Sequence, residues 1–141
     1  MATGLNWYLE NHCHCHVSWC GSQLNLPDPL QDVQPKVRRV TWARYRYFLN
    51  YCCFGYSLPW WDWDQWEKLI DWMALNGINA PLSVTGQEAV LQATLRRLDI
   101  SDQQISEYMA GPVYLGMQLL AIIDDLGAPL PQDWIDRRES L

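Results

Sequence analysis

Residues 60–89, WWDWDQWEKLIDWMALNGINAPLSVTGQEA, carry enough punctuation to decide the fold class. Asp62 stands where a helix N-cap belongs, and Gln65, three residues on, completes an Asp-x-x-Gln capping box. Trp63, Trp66, Ile70, Met73 and Gly77 then recur three or four residues apart, which predicts one apolar helical face. Asp64 and Lys68 add a favourable i,i+4 pair on another side. Asn76-Gly77 predicts the stop, because glycine enters the left-handed conformation at C′ without a Cβ clash. Residues 78–84 are short, largely apolar and bounded by turn signals, as a buried strand would be. Thr85 and Glu88 form a second capping box and open a further helix. A run rich in β formers, residues 44–53, precedes all of this. The order β-α-β-α predicts a parallel sheet and an α/β fold.

Composition narrows the partners. The chain has 141 residues, ordinarily one domain, and 49% of them are apolar, enough for a core. A formal net charge of −6 excludes a nucleic-acid surface, which wants clustered Lys and Arg on phosphate. No apolar run approaches the ~20 residues of a membrane span. Residues 1–5 show neither the basic nor the apolar part of a signal peptide, and no Asn-x-Ser/Thr sequon occurs. On composition alone the chain reads as cytosolic.

Taken in order, residues 5–11 read as the tail of a helix and 16–19 as a short strand ending at Cys20-Gly21. Between them His12-Cys13-His14-Cys15-His16 invites a metal. Zinc sites, however, want ligands separated by loops or helical turns. Strict alternation points the histidines to one side of a strand and the cysteines to the other, so no metal and no cofactor are expected. Five cysteines are an odd count, leaving at least one thiol without an intramolecular partner. Residues 23–35 contain Pro27, Pro29 and Pro35 and read as a linker or extended loop. Further on, 90–98 continues a helix, Ser101 with Gln104 caps another reaching about Ala110, and Gly111-Pro112 breaks it.

Three stretches together resemble one known family. WWDWDQWEKLIDWMALNGIN followed by GQEA, RYRYFLNYCCFGYS upstream, and GLNWYLENHCHCHVSWCGSQLNLP before that are similar to the alpha-N-acetylglucosaminidases. Those are exo-glycosidases that remove terminal alpha-linked N-acetylglucosamine; the animal enzyme is lysosomal and degrades heparan sulfate. The resemblance implies the incomplete start of a (β/α)8 TIM-type barrel, preceded by part of a small α/β N-terminal domain. A whole barrel takes roughly 200–250 residues, so this chain would hold its opening. The implied organisation is 1–26 as remnant of the N-terminal domain, 27–41 as linker, and 42–141 as the first βαβα portion of the barrel. After about residue 115 the chain departs from the family. Where the family runs Trp-x-Arg-Met-Gly-Asn, this chain has Met117-Gln118-Leu119-Leu120-Ala121-Ile122. Similarity returns at Pro129-Leu130-Pro131 and Trp134. Read against the family, the missing secretory start implies that the chain begins inside the N-terminal domain, with a lysosomal location.

The resemblance also nominates a site. Residues matching Asn50, Cys52 and Tyr56, in an Asn-x-Cys-x-x-x-Tyr pattern, line the family's sugar pocket. That fits a parallel barrel, whose ligands sit at the C-terminal ends of strands, and an amide can pair with sugar hydroxyls or an N-acetyl group. Read from the residues alone, Asn50 caps a turn and Tyr56 packs. Glu88 is the carboxylate a glycosidase would use, following a strand in a Gly-Gln-Glu turn; its competing duty is the N3 place in the box with Thr85. The family's two catalytic carboxylates lie beyond Leu141, so the expectation is a glycan-binding portion of an exo-glycosidase that is inactive alone. A non-enzymatic Trp-rich carbohydrate-binding or protein-interaction module is the alternative. An incomplete sheet also predicts exposed apolar surface and self-association.

Overall fold

The computed structural model describes residues 2–123 and 129–141. It is α/β and divides into two compact units, Met1–Phe48 with Trp63–Pro81, and Leu49–Asp62 with Leu82–Leu141.

The first unit opens with α1, Ala2–Asn11, and a small antiparallel hairpin of β1, His16–Ser18, and β2, Gly21–Gln23. Cys13 and Cys15 are buried while His14 and His16 are exposed, but not through a strand's alternation: β1 starts only at His16, and His14 takes a left-handed φ of 53°. Residues 24–46 form no regular element, in line with their prolines.

The parallel pair is present but far shorter than the sequence suggests. β3 is Tyr47–Phe48 and β4 is Ala80–Pro81, with Tyr47 opposite Ala80 and Phe48 opposite Pro81. Two local features stop it. Leu49 takes a left-handed φ of 70°, which turns the chain out of β3, and Pro81 has no N–H with which to extend a ladder. Asn79 lengthens the pairing with its side chain instead. Its Oδ1 accepts from Arg46 N (2.8 Å) and its Nδ2 donates to Arg44 O (3.0 Å), standing in for a peptide group. The crossover α2, Trp63–Leu75, starts one residue after Asp62, as expected.

The buried face of α2 differs from the one the spacing predicts. Leu69 and Met73 are buried, whereas Trp63 and Ile70 are 50% and 44% exposed. Trp72 makes an edge contact with Trp19 (4.4 Å between centroids) and a tilted one with Phe48 (5.2 Å). The predicted face is thus kept at Met73 and, half-buried, at Trp66, while Leu69 is buried in place of Ile70 and Trp72 joins through the hairpin's Trp19.

In the second unit two 3₁₀ turns, Tyr51–Gly55 and Leu58–Trp60, precede α3, Gln87–Arg97. Then come α4, Asp102–Tyr108, α5, Leu115–Leu119, and α6, Gln132–Glu139. Ala89, Ile105, Met109, Leu115, Trp134 and Ile135 belong to its core. The Ser101–Gln104 box is fully formed, Ser101 Oγ accepting from Gln104 N and Ser101 N donating to Gln104 Oε1. The diverged stretch after Tyr114 begins as α5 and continues without a regular element over 120–123; residues 124–128 lie outside the described residues.

Candidate functional site

Asn50, Cys52 and Tyr56 all lie on the loop of the two 3₁₀ turns. β3 and β4 run parallel, so Leu49 and Leu82 leave from the same end of the pair. Past the turn at Leu49, Asn50 is extended (φ −135°, ψ 172°) and caps the first 3₁₀ turn. Its Oδ1 accepts from Cys53 N at 3.1 Å and from Cys53 Sγ at 3.2 Å. Both bonds use the carbonyl, which fixes the amide's orientation and leaves the Nδ2 donors of this exposed residue without a partner among the described residues. Cys52 is half-buried and Tyr56 is 69% exposed. Capping and ligand contact are therefore compatible duties for Asn50.

The loop is pressed closely against its neighbours. A Cβ on Gly55 would collide with Val113 O, and one on Gly116 would lie 2.8 Å from Tyr51 O. From the other side α6 reaches in with Trp134 and Arg138, one helical turn apart. Trp134 Nε1 donates to Pro59 O at 3.1 Å, and Arg138 Nη1 donates to Leu58 O at 3.0 Å. Phe54, Val84, Glu88, Leu115, Trp134 and Arg138 line one narrow cavity, so the first 3₁₀ turn and the Glu88 segment are neighbours.

Glu88 does not cap α3. The N-cap is Gly86, in the left-handed region at φ 82°, with no side-chain cap. Glu88 is 1% exposed, and its Oε1 accepts from Arg138 Nε at 2.9 Å. Thr85 Oγ1 faces the same guanidinium, at 3.5 Å from Nη2. The box is lost because a buried guanidinium needs a counter-charge, and that demand outweighs a surface cap. Glu88 is thus engaged in a buried ion pair rather than presented to solvent.

Other polar groups are already committed. A cavity of about 210 Å³ between α3, α4 and α6 has Gln92 bonded to Gln132 and Arg96 paired with Asp102 at 2.7 Å on its wall. Among the described residues no group of three or more His, Cys, Asp or Glu is placed to hold a metal. The Tyr8 phenol is held above its usual range, by desolvation first and by its hydrogen bond with Cys13 second. Among the described residues no helix is long and apolar enough to cross a membrane.

Arg138 and Cys53 are neighbours of the candidate loop that the sequence does not single out. Cys53 could have been found as the third residue after the cap, where an Asn side chain looks for a donor. Arg138 carries a weaker signal. It continues the apolar stripe of Trp134 and Ile135, and a cation on such a stripe demands a buried partner.

Two family models match the chain. One describes the alpha-N-acetylglucosaminidase (NAGLU) tim-barrel domain, over residues 46–141, and the other the NAGLU N-terminal domain, over residues 1–30. Human alpha-N-acetylglucosaminidase is 45% identical over 133 residues, covering 94% of this chain and 18% of that protein. Among solved structures, a family 89 glycoside hydrolase from Clostridium perfringens in complex with PUGNAc aligns with a TM-score of 0.89 and 38% identity. That alignment covers 97% of this chain and 16% of the enzyme. The same enzyme in complex with its substrate GlcNAc-alpha-1,4-galactose aligns with a TM-score of 0.88, 38% identity and the same coverage of both chains. The chain therefore spans about a fifth of the length of the relatives it matches, and over that span it belongs to the alpha-N-acetylglucosaminidase family.

Proposed function

We propose that this chain supplies one wall of the sugar pocket of an exo-acting alpha-N-acetylglucosaminidase, with Asn50, Cys52 and Tyr56 contacting a terminal alpha-linked N-acetylglucosamine. The carrying observation is the Asn50 cap, which holds the amide still and keeps its two N–H donors free at an exposed position. That a homologous enzyme was solved with GlcNAc-alpha-1,4-galactose supports the substrate class. In this reading residues 1–26 belong to the N-terminal domain, 27–41 link, and 42–141 open a (β/α)8 barrel with β3 and β4 as its first strands. Likeness to the human enzyme favours a lysosomal setting and heparan sulfate as the natural glycan.

The test is a titration of the ¹⁵N-labelled chain with N-acetylglucosamine, followed at the Asn50 side-chain amide, with glucose as the comparison. The Asn50 resonance should move with N-acetylglucosamine and far less with glucose. An amide indifferent to both sugars sinks the proposal.

Exposed aromatics bear on a second property. Trp42 is 98% exposed, Trp60 58% and Trp63 50%, and large apolar side chains in water mark surfaces that associate. We expect the isolated chain to self-associate and to bind hydrophobic dyes. Sedimentation of a concentration-independent monomer would contradict this.

A further inference from the structure

Nothing in an Asn-x-Cys-x-x-x-Tyr pattern explains why the loop carrying it should hold one shape. Its two turns contain five and three residues, too few to be stable by themselves. Something outside the loop must fix it. The residues that do so come 75 and 80 positions later in the chain.

We propose that Trp134 and Arg138 are positioning residues for the sugar-contacting loop: from one face of α6 they hold its consecutive carbonyls, Pro59 O and Leu58 O, and so set where Asn50, Cys52 and Tyr56 stand. The proposal rests on the reading of that loop given above. Arg138 is 4% exposed and Trp134 5%, so their bonds are not shared with bulk water. The guanidinium divides its donors three ways, Nε to Glu88, Nη1 to Leu58 O and Nη2 towards Thr85 Oγ1. Its carbon sits 5.1 Å from the Trp134 ring centre, which keeps the two side chains in one stack. Glu88 has a definite place in this device. It neutralises the cation, so a charged fork can be spent on a backbone carbonyl inside the fold. Gly55 and Gly116 add to this hold, because each lets two backbones meet closely, Gly55 against Val113 O and Gly116 against Tyr51 O.

The geometry separates three variants. Arg138→Met with Glu88→Gln removes both charges together and strands neither. Trp134→Phe keeps an aromatic face for Arg138 but loses the pyrrole part of the indole together with its Nε1 donor. Arg138→Lys keeps the charge for Glu88 but lacks the planar fork, so it restores the ion pair without the full grip on Leu58 O.

The experiment uses the 141-residue chain. Iodoacetamide labelling of Cys52 and Cys53, read by peptide mass spectrometry, reports the loop. Amide exchange at Ile105 and Met109 of the same unit reports its core, and the Asn50 amide titration reports sugar contact. In the double variant and in Trp134→Phe, Cys52 and Cys53 should react about tenfold faster, the worth of roughly one hydrogen bond. Exchange at Ile105 and Met109 should stay unchanged in the double variant and rise only modestly in Trp134→Phe, whose ring belongs to that core, and the N-acetylglucosamine response of Asn50 should be lost in both. Arg138→Lys should fall between the wild type and the double variant.

Unchanged thiol rates in a folded double variant and in Trp134→Phe would overturn the proposal. So would thiol labelling and core exchange rising by the same factor in the double variant, since that reports general loosening. Should the thiols respond while the wild-type Asn50 amide ignores the sugar, the clasp stands and the sugar reading falls.

Discussion

At Gly55 the chain has no room for a side chain, because a Cβ there would run into the carbonyl oxygen of Val113. Gly4, in α1, has nothing within 4 Å of its Cβ position. Gly55→Ala should therefore destabilise by about 1–3 kcal/mol, since two backbones must part to admit it. Gly4→Ala should stabilise by about 0.5–1 kcal/mol through helix propensity. Urea unfolding of both variants checks the pair, and equal midpoints would show that the approach at Gly55 is not tight. The asymmetry could not be read from the sequence, where both are single glycines. Asn50 is a similar case. Its pattern suggested a pocket residue or a cap, and the chain uses its carbonyl for the cap while leaving the amide nitrogen free. Glu88 was misread because its partner, Arg138, lies 50 residues away and only tertiary folding brings them together.

Elements whose signals are local were legible. The Ser101–Gln104 box starts α4 where expected, because both partners lie within one turn. The strands were legible as to place and direction but not length, since a left-handed Leu49 and a proline at 81 decide where pairing ends. The face of α2 was misjudged for a related reason. Spacing admits Ile70 and Leu69 almost equally, and the choice was made by what packs against them. Leu69→Ala should cost about 2–5 kcal/mol, as for a filled core site. Ile70→Ala, 44% exposed, should stay near ~0.5 kcal/mol. Comparable losses at the two positions, measured by thermal or denaturant unfolding, would return the face to the one the spacing suggested.

For the molecule as a whole, family and activity are separate questions. Hydrolysis of this type needs two placed carboxyl groups, roughly 5–10 Å apart. Glu88, the carboxylate nearest the candidate loop on sequence grounds, is buried against Arg138. The 141-residue polypeptide should release no N-acetylglucosamine from an alpha-N-acetylglucosaminide above a matched Glu88→Gln control, and measurable turnover beyond that control refutes this. One consequence of the α6 clasp belongs to synthesis. Leu58 leaves the ribosome 80 residues ahead of Arg138, a delay of roughly 4–16 s at ~5–20 residues per second. Through that interval the loop has its cap but lacks its clasp, and the thiols of Cys52 and Cys53 meet whatever the nascent chain meets. Oxidants or chaperones acting on the newborn protein will therefore find this loop before α6 has emerged to hold it.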